Sequence, residues 1–219
     1  GTCRARGASI SRNCSVAHEG SGGRGRGGAR GRGGPVSWIP LALWGGLVGL
    51  DATAFPQAMI SRPIVAGSVA GLIVGAPAEG ALIGVLLEFF SLATLPIGAA
   101  RYPEPGTASV AAAGAYAYAA GPGSDAGLLF LAVVLGLVWE RVSGASVEVV
   151  RRGAEWLAFG RDALVEVAPG RLEFRHLAAM AIDCVRGAAS AVAGAALGAA
   201  LLGAVRPHWG VPESWVLGT

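Results

Sequence analysis

From Val36 onward, long uncharged runs alternate with short clusters of proline, glycine and charge. Val36 to Leu50 (VSWIPLALWGGLVGL) is uncharged and carries Trp38 and Trp44. A helix needs roughly 20 residues to cross ~30 Å of hydrocarbon. This run attains that only by continuing past Asp51 to about Met59. Pro63 to Ala78 (PIVAGSVAGLIVGAPA) is apolar but would reach only ~24 Å as a helix, so it reads as either a tilted span or a re-entrant segment. Gly67, Gly71 and Gly75 are four apart there, a small-residue stripe suited to close helix contact. Gly80 to Ala100 is the next apolar candidate, interrupted by Glu88. Pro105 to Ser124 is uncharged and weakly apolar, an interior helix by its small residues, with Tyr116 and Tyr118.

Ala126 to Trp139 (AGLLFLAVVLGLVW) is the most lipid-like run, and Trp139, Glu140 and Arg141 read as its interfacial stop. Beyond Ser143 the pattern changes. Val147, Val150, Ala154, Leu157 and Ala158 recur at helical spacing among Arg151, Arg152, Glu155, Arg161 and Asp162. This predicts an amphipathic helix within 143–175, lying on the membrane surface or against a partner. The Arg excess between 141 and 175 places that region on the cytoplasmic side. Gly187 to Val205 supplies a further uncharged run, and Trp215, Val216 and Leu217 read as the start of another, cut short. The expected fold is therefore an all-α integral membrane protein, a polytopic helical bundle with short or re-entrant segments.

Composition agrees with that class. Hydrophobic residues make up 53% and charged residues 14%, with mean hydropathy +0.56, too apolar for an ordinary soluble domain. The net charge of +3 divides unevenly: the first 34 residues carry seven Arg against Glu19, and the remainder is net acidic. Residues 1–35, ending in Arg-Gly repeats, bury almost nothing and are expected to be a disordered tail. RNA binding by such repeats is the alternative; the preferred reading is an incomplete or over-extended frame, with a natural start near Val36 and no nucleic-acid partner. The tail also lacks the apolar stretch of a secretory signal. The domain is accordingly taken as 36–219, incomplete at its C-terminus. Cys3, Cys14 and Cys184 form no CxxC pair, and with His18, His176 and His208 scattered no metal or other cofactor is expected.

The candidate chemistry lies in Gly84 to Ser109 (GVLLEFFSLATLPIGAARYPEPGTAS), where Glu88 sits in an apolar run that breaks at Pro96, Gly98, Pro103, Pro105 and Gly106. Lipid does not solvate a charge, so an acid at depth must face a partner, a cavity or a solute. Irregular backbone at that depth is tolerated only against protein or a water-filled cavity. Glu88 is thus the candidate contact for a polar solute. Arg62 is read either as an interfacial residue that snorkels or pairs with Asp51, or as a residue that shapes the site. Asp51 and Glu104 lean toward structure or helix capping. No nucleophile–base pair or phosphate-binding loop is visible, so the chain is not expected to be an enzyme.

The string from Leu50 to Val110 resembles the N-terminal half of the membrane subunit IIC of the mannose–fructose–sorbose family of the bacterial phosphoenolpyruvate-dependent sugar phosphotransferase system. The resemblance rests on Asp51, the F-Q-x-x-x-S-R-P patch around Arg62 and Pro63, Leu87–Glu88, and I-G-A-A followed by P-E at Ile97 to Glu104. It implies a multi-pass, oligomeric sugar-permease subunit of the inner membrane that binds a hexose-like sugar. Its implied partners are a second membrane subunit, IID, and cytoplasmic IIA and IIB proteins, of which IIB donates the phosphoryl group. By matching positions it also implies substrate-binding roles for Glu88, Gly98 and Glu104, to which Asp51 and Arg62 are added. Pro96 stands where the family commonly has Asn. That departure keeps open a divergent, non-transporting scaffold for the same phosphorelay, docking its partners through 143–175.

Overall fold

A computed structural model describes residues 38–54, 57–92, 103–120, 126–159 and 169–208, all within one compact unit of the chain. Among them are six α-helices and a terminal 3-10 turn, and no strand. The expected tail (1–35), Pro96, Gly98 and Arg101 lie outside the described residues.

Helix α1 (Trp38–Thr53) stops sooner than the run to Met59 suggested. Its last turn is tightened by Thr53 Oγ1 donating to the Gly49 carbonyl at 3.0 Å. Asp51 then turns its carboxylate onto the chain that follows. Helix α2 (Pro63–Val74) opens with proline at its first position, where a missing N–H costs nothing. Arg62 ahead of it is extended, as a residue before proline must be. At its end Gly75 adopts φ 78°, and the N–H groups of Gly75 and Ala76 donate to the carbonyls of Leu72 and Gly71. This left-handed cap reverses the chain at once into α3 (Pro77–Leu92).

The two helices form a hairpin whose seam is glycine on both sides. A Cβ added to Gly67 would lie 2.9 Å from the Gly84 Cα, and one added to Gly80 would lie 2.5 Å from the Gly71 Cα. The backbones therefore touch at Gly67 and Gly71, as expected of the stripe, whereas its third member, Gly75, caps the helix and lies outside the seam. At ~1.5 Å per residue α2 and α3 reach only ~18 and ~24 Å, short of the ~30 Å of a hydrocarbon core.

Helix α4 (Pro105–Ala119) is buried continuously from Gly106 to Tyr116. It has no polar face to offer water, and it packs against each of the other helices. Gly114 accepts Ala195 and Leu41 at its surface, so small residues again set the spacing.

The long helices differ from expectation. α5 runs unbroken from Ala126 to Phe159, and α6 from Pro169 to Val205. The expected stop at Trp139–Arg141 and the separate amphipathic helix after Ser143 are one continuous element. Its physical reason is that Trp139 and Glu140 point inward. The Trp139 indole donates to the Ser190 carbonyl at 3.2 Å, and Glu140 is 4% exposed with Arg141 beside it at 3.3 Å. Polar residues satisfied inside the bundle give no reason for the helix to end. α5 and α6 are each long and apolar enough to cross a membrane. α6 crosses α1 where Gly45 and Gly49 meet Gly187 and Ala191.

Candidate functional site

Three acidic residues gather around the start of α4, each with a different partner. The first is Asp51, 3% exposed. One carboxylate oxygen accepts the Ala58 N–H at 2.5 Å and the other the Ser61 N–H at 2.9 Å. On either side of Ala58 the chain takes left-handed conformations at Gln57 (φ 58°) and Met59 (φ 61°), unusual for residues with a Cβ. The carboxylate is what holds this strap, Gln57–Arg62, in shape.

The second is Glu104, which precedes Pro105 at the head of α4. It faces Arg186 of α6 in a bidentate pair, Nη1 to Oε2 at 2.7 Å and Nη2 to Oε1 at 2.8 Å. Both side chains are 6% exposed. Ser143 of α5 donates to Oε2 as well, and its oxygen lies 2.9 Å from Thr107 Oγ1 and 2.8 Å from Ser190 Oγ. Arg186 also reaches Ser146 Oγ at 3.3 Å, and Asp183 lies 3.5 Å from its Nε. This charge-assisted network joins α4, α5 and α6 and leaves neither Glu104 oxygen without a donor.

The third is Glu88 of α3. Arg62, the last residue of the strap, donates to its Oε1 at 3.1 Å. The pair is unequal, since the Arg62 side chain is 53% exposed and that of Glu88 20%. Glu88 Oε2 is buried and has no hydrogen-bond partner among the described residues. A carboxylate oxygen withdrawn from water without a donor is costly, and it is the natural acceptor for a hydroxyl brought by a solute.

The strap connects these acids. Ser61, held by Asp51, places its carbonyl where a Cβ of Gly106 would stand, two residues past Glu104. The next residue, Arg62, reaches Glu88. Structure thus brings Asp51, Arg62, Glu88 and Glu104 to one end of α4. It pairs Arg62 with Glu88 rather than with Asp51, the partner considered from sequence. Gly98 is outside the described residues.

Sequence reasoning missed Arg186. The available signal was an Arg three residues after Asp183, directly ahead of the uncharged run from Gly187, a position where an ionisable group needs a partner. Ser143, Thr107 and Ser190 carried no signal, because serine and threonine are unremarkable in packed helices.

The chain was compared with known proteins. A family model described as the sorbose-specific IIC component of the phosphotransferase system matches residues 36–206. The sorbose-specific EIIC component of the phosphotransferase system of Lacticaseibacillus casei is 35% identical over 71 residues, 32% of this chain and 25% of that protein. The match thus spans about a quarter of that relative's length. With the family model covering most of the chain, and with a glycine-seamed helical hairpin and two membrane-length helices in the structure, this protein belongs to the sorbose-type IIC family of the sugar phosphotransferase system.

Proposed function

We propose that the chain is the sugar-translocating subunit of a mannose-type phosphotransferase system, a multi-pass protein of the bacterial inner membrane. It acts with a IID membrane subunit and cytoplasmic IIA and IIB proteins, and in an oligomeric assembly. Phosphoryl transfer belongs to IIB; this subunit binds the sugar and moves it. The relative's sorbose specificity makes sorbose the first sugar to test.

The observation that carries the reading is the state of Glu88. It sits on the second helix of a hairpin too short to cross the bilayer, with one oxygen on a half-exposed Arg62 and the other buried without a donor among the described residues. A carboxylate so placed accepts hydrogen bonds and offers none, which selects a neutral polyhydroxyl solute over an anion. Arg62 holds its other oxygen. Gly98 is kept as a candidate sugar-binding residue by its match to the family, and Asp51 and Glu104 are assigned to the frame that shapes the site.

Sorbose uptake by cells or vesicles carrying the assembled system tests this. A hydrogen bond to a charged group contributes about 1.5–3 kcal/mol, so Glu88→Ala is expected to lower sorbose affinity by about 10- to 100-fold. Uptake at the parent level in that variant would falsify the assignment of Glu88.

A further inference from the structure

Arg186 lies at the meeting point of α1, α4, α5 and α6. Its guanidinium is committed to Glu104, it touches Ser146, and its Nη2 would lie 3.4 Å from a Cβ at Gly49, two residues before Asp51. A purely structural role explains this poorly. Replacing a buried ion pair by well-packed apolar side chains is often neutral or stabilising, so the pair is weak evidence for stability. What it supplies is geometry. The bidentate fork fixes the head of α4 against α6 in one orientation. Gly106, in the first turn of α4, is the surface on which the Ser61 carbonyl rests. Ser61 is covalently joined to Arg62, and Arg62 holds Glu88.

We infer that Arg186 is a positioning residue for the solute site: through Glu104 and the head of α4 it sets the strap Gln57–Arg62, and through the strap the Arg62–Glu88 pair. It does not touch the sugar. This rests on the reading of Glu88 as the sugar contact, and the test separates the two.

The full chain is reconstituted in nanodiscs, and hydrogen exchange over residues 57–62 is measured together with equilibrium binding of radiolabelled sorbose. The double variant Glu104→Leu/Arg186→Met removes both partners of the bidentate pair and leaves only the Asp183 carboxylate, 18% exposed, without its Arg. It is expected to unfold at or above the parent's temperature, yet to exchange about tenfold faster across the strap and bind sorbose about tenfold more weakly. Arg186→Lys keeps the charge and loses the fork, and is expected to fall between the two in both measurements. Should the double variant fail to fold, Arg186→Lys carries the same comparison. Parent-like strap exchange in a folded variant overturns the proposal. So does a loosened strap with unchanged sorbose affinity, provided Glu88→Ala abolishes binding. If Glu88→Ala binds sorbose as the parent does, the sugar site is misassigned, and strap exchange still decides whether Arg186 holds the strap.

Discussion

Asp51 and Arg186 both act on backbone or side chains far along the sequence, and both are expected to be costly to remove one at a time. Arg186→Leu would leave the Glu104 carboxyl buried without its ion-pair partner, with Ser143 its remaining side-chain donor. Breaking a buried pair from one side costs about 3–5 kcal/mol, so thermal unfolding in detergent should show a large loss. The loss should largely disappear in the double variant described above, in which both charges are gone. Asp51→Ala removes the acceptor from two backbone N–H groups, Ala58 and Ser61, that have turned toward it. A charged-acceptor bond contributes about 1.5–3 kcal/mol, and the left-handed Gln57 and Met59 have less to hold them afterwards. The expected outcome is a strap that protease or hydrogen exchange reaches faster, with α5 and α6 unchanged.

Three glycines separate the contributions of element geometry. Gly80 has no room, since its added Cβ meets the Gly71 Cα at 2.5 Å. Gly80→Val should force the hairpin helices apart at a cost of about 1–3 kcal/mol or more. Gly75 has room but a left-handed backbone, φ 78° with nothing within 4 Å of an added Cβ. Gly75→Ala therefore meets only the conformational penalty of about 1–2 kcal/mol. Gly153 of α5 has open space and ordinary helical backbone. Gly153→Ala is expected to stabilise the helix by roughly 0.5–1 kcal/mol. A thermal series on the three variants that gave equal shifts would contradict the seam described for α2 and α3.

Over the whole molecule, apolar side chains face outward in stripes. Ile39, Leu43 and Leu47 line one side of α1; Phe130, Val134, Val138 and Val142 line α5 at four-residue spacing; Leu197, Leu201 and Val205 line α6. A soluble monomer rarely exposes apolar patches of that extent, whereas lipid makes them favourable. Four charged side chains meanwhile turn inward among the described residues, those of Asp51, Glu104, Glu140 and Arg186. Val138→Arg, on the outward stripe of α5, puts a charge against lipid and should cost up to about 2.5–3.5 kcal/mol of insertion free energy. The check is the membrane-extracted fraction of the variant, with Ser146→Ala as a mild comparison in the same helix.

Sequence alone determined the class of protein, because composition and the lengths of uncharged runs depend only on which residues follow one another. It also marked α2 as a surface for close helix contact, since a glycine stripe at four-residue spacing needs no knowledge of the partner helix, and it marked Glu88 as an acid needing an explanation. What it could not supply was partnership. Glu104 and Arg186 are 82 positions apart, and nothing local distinguishes that pairing from any other acid and Arg. Arg62 lies closer in sequence to Asp51 than to Glu88, yet the proline start of α2 and the reversal at Gly75 bring α3 back beside it. The continuous α5 was hidden for the same reason. Trp139 and Glu140 look like an interfacial stop until packing supplies the Ser190 carbonyl to the indole and the Glu104 N–H, at the head of α4, to the Glu140 carbonyl at 3.1 Å, because burial is decided by the neighbours that folding brings, not by the residues on either side.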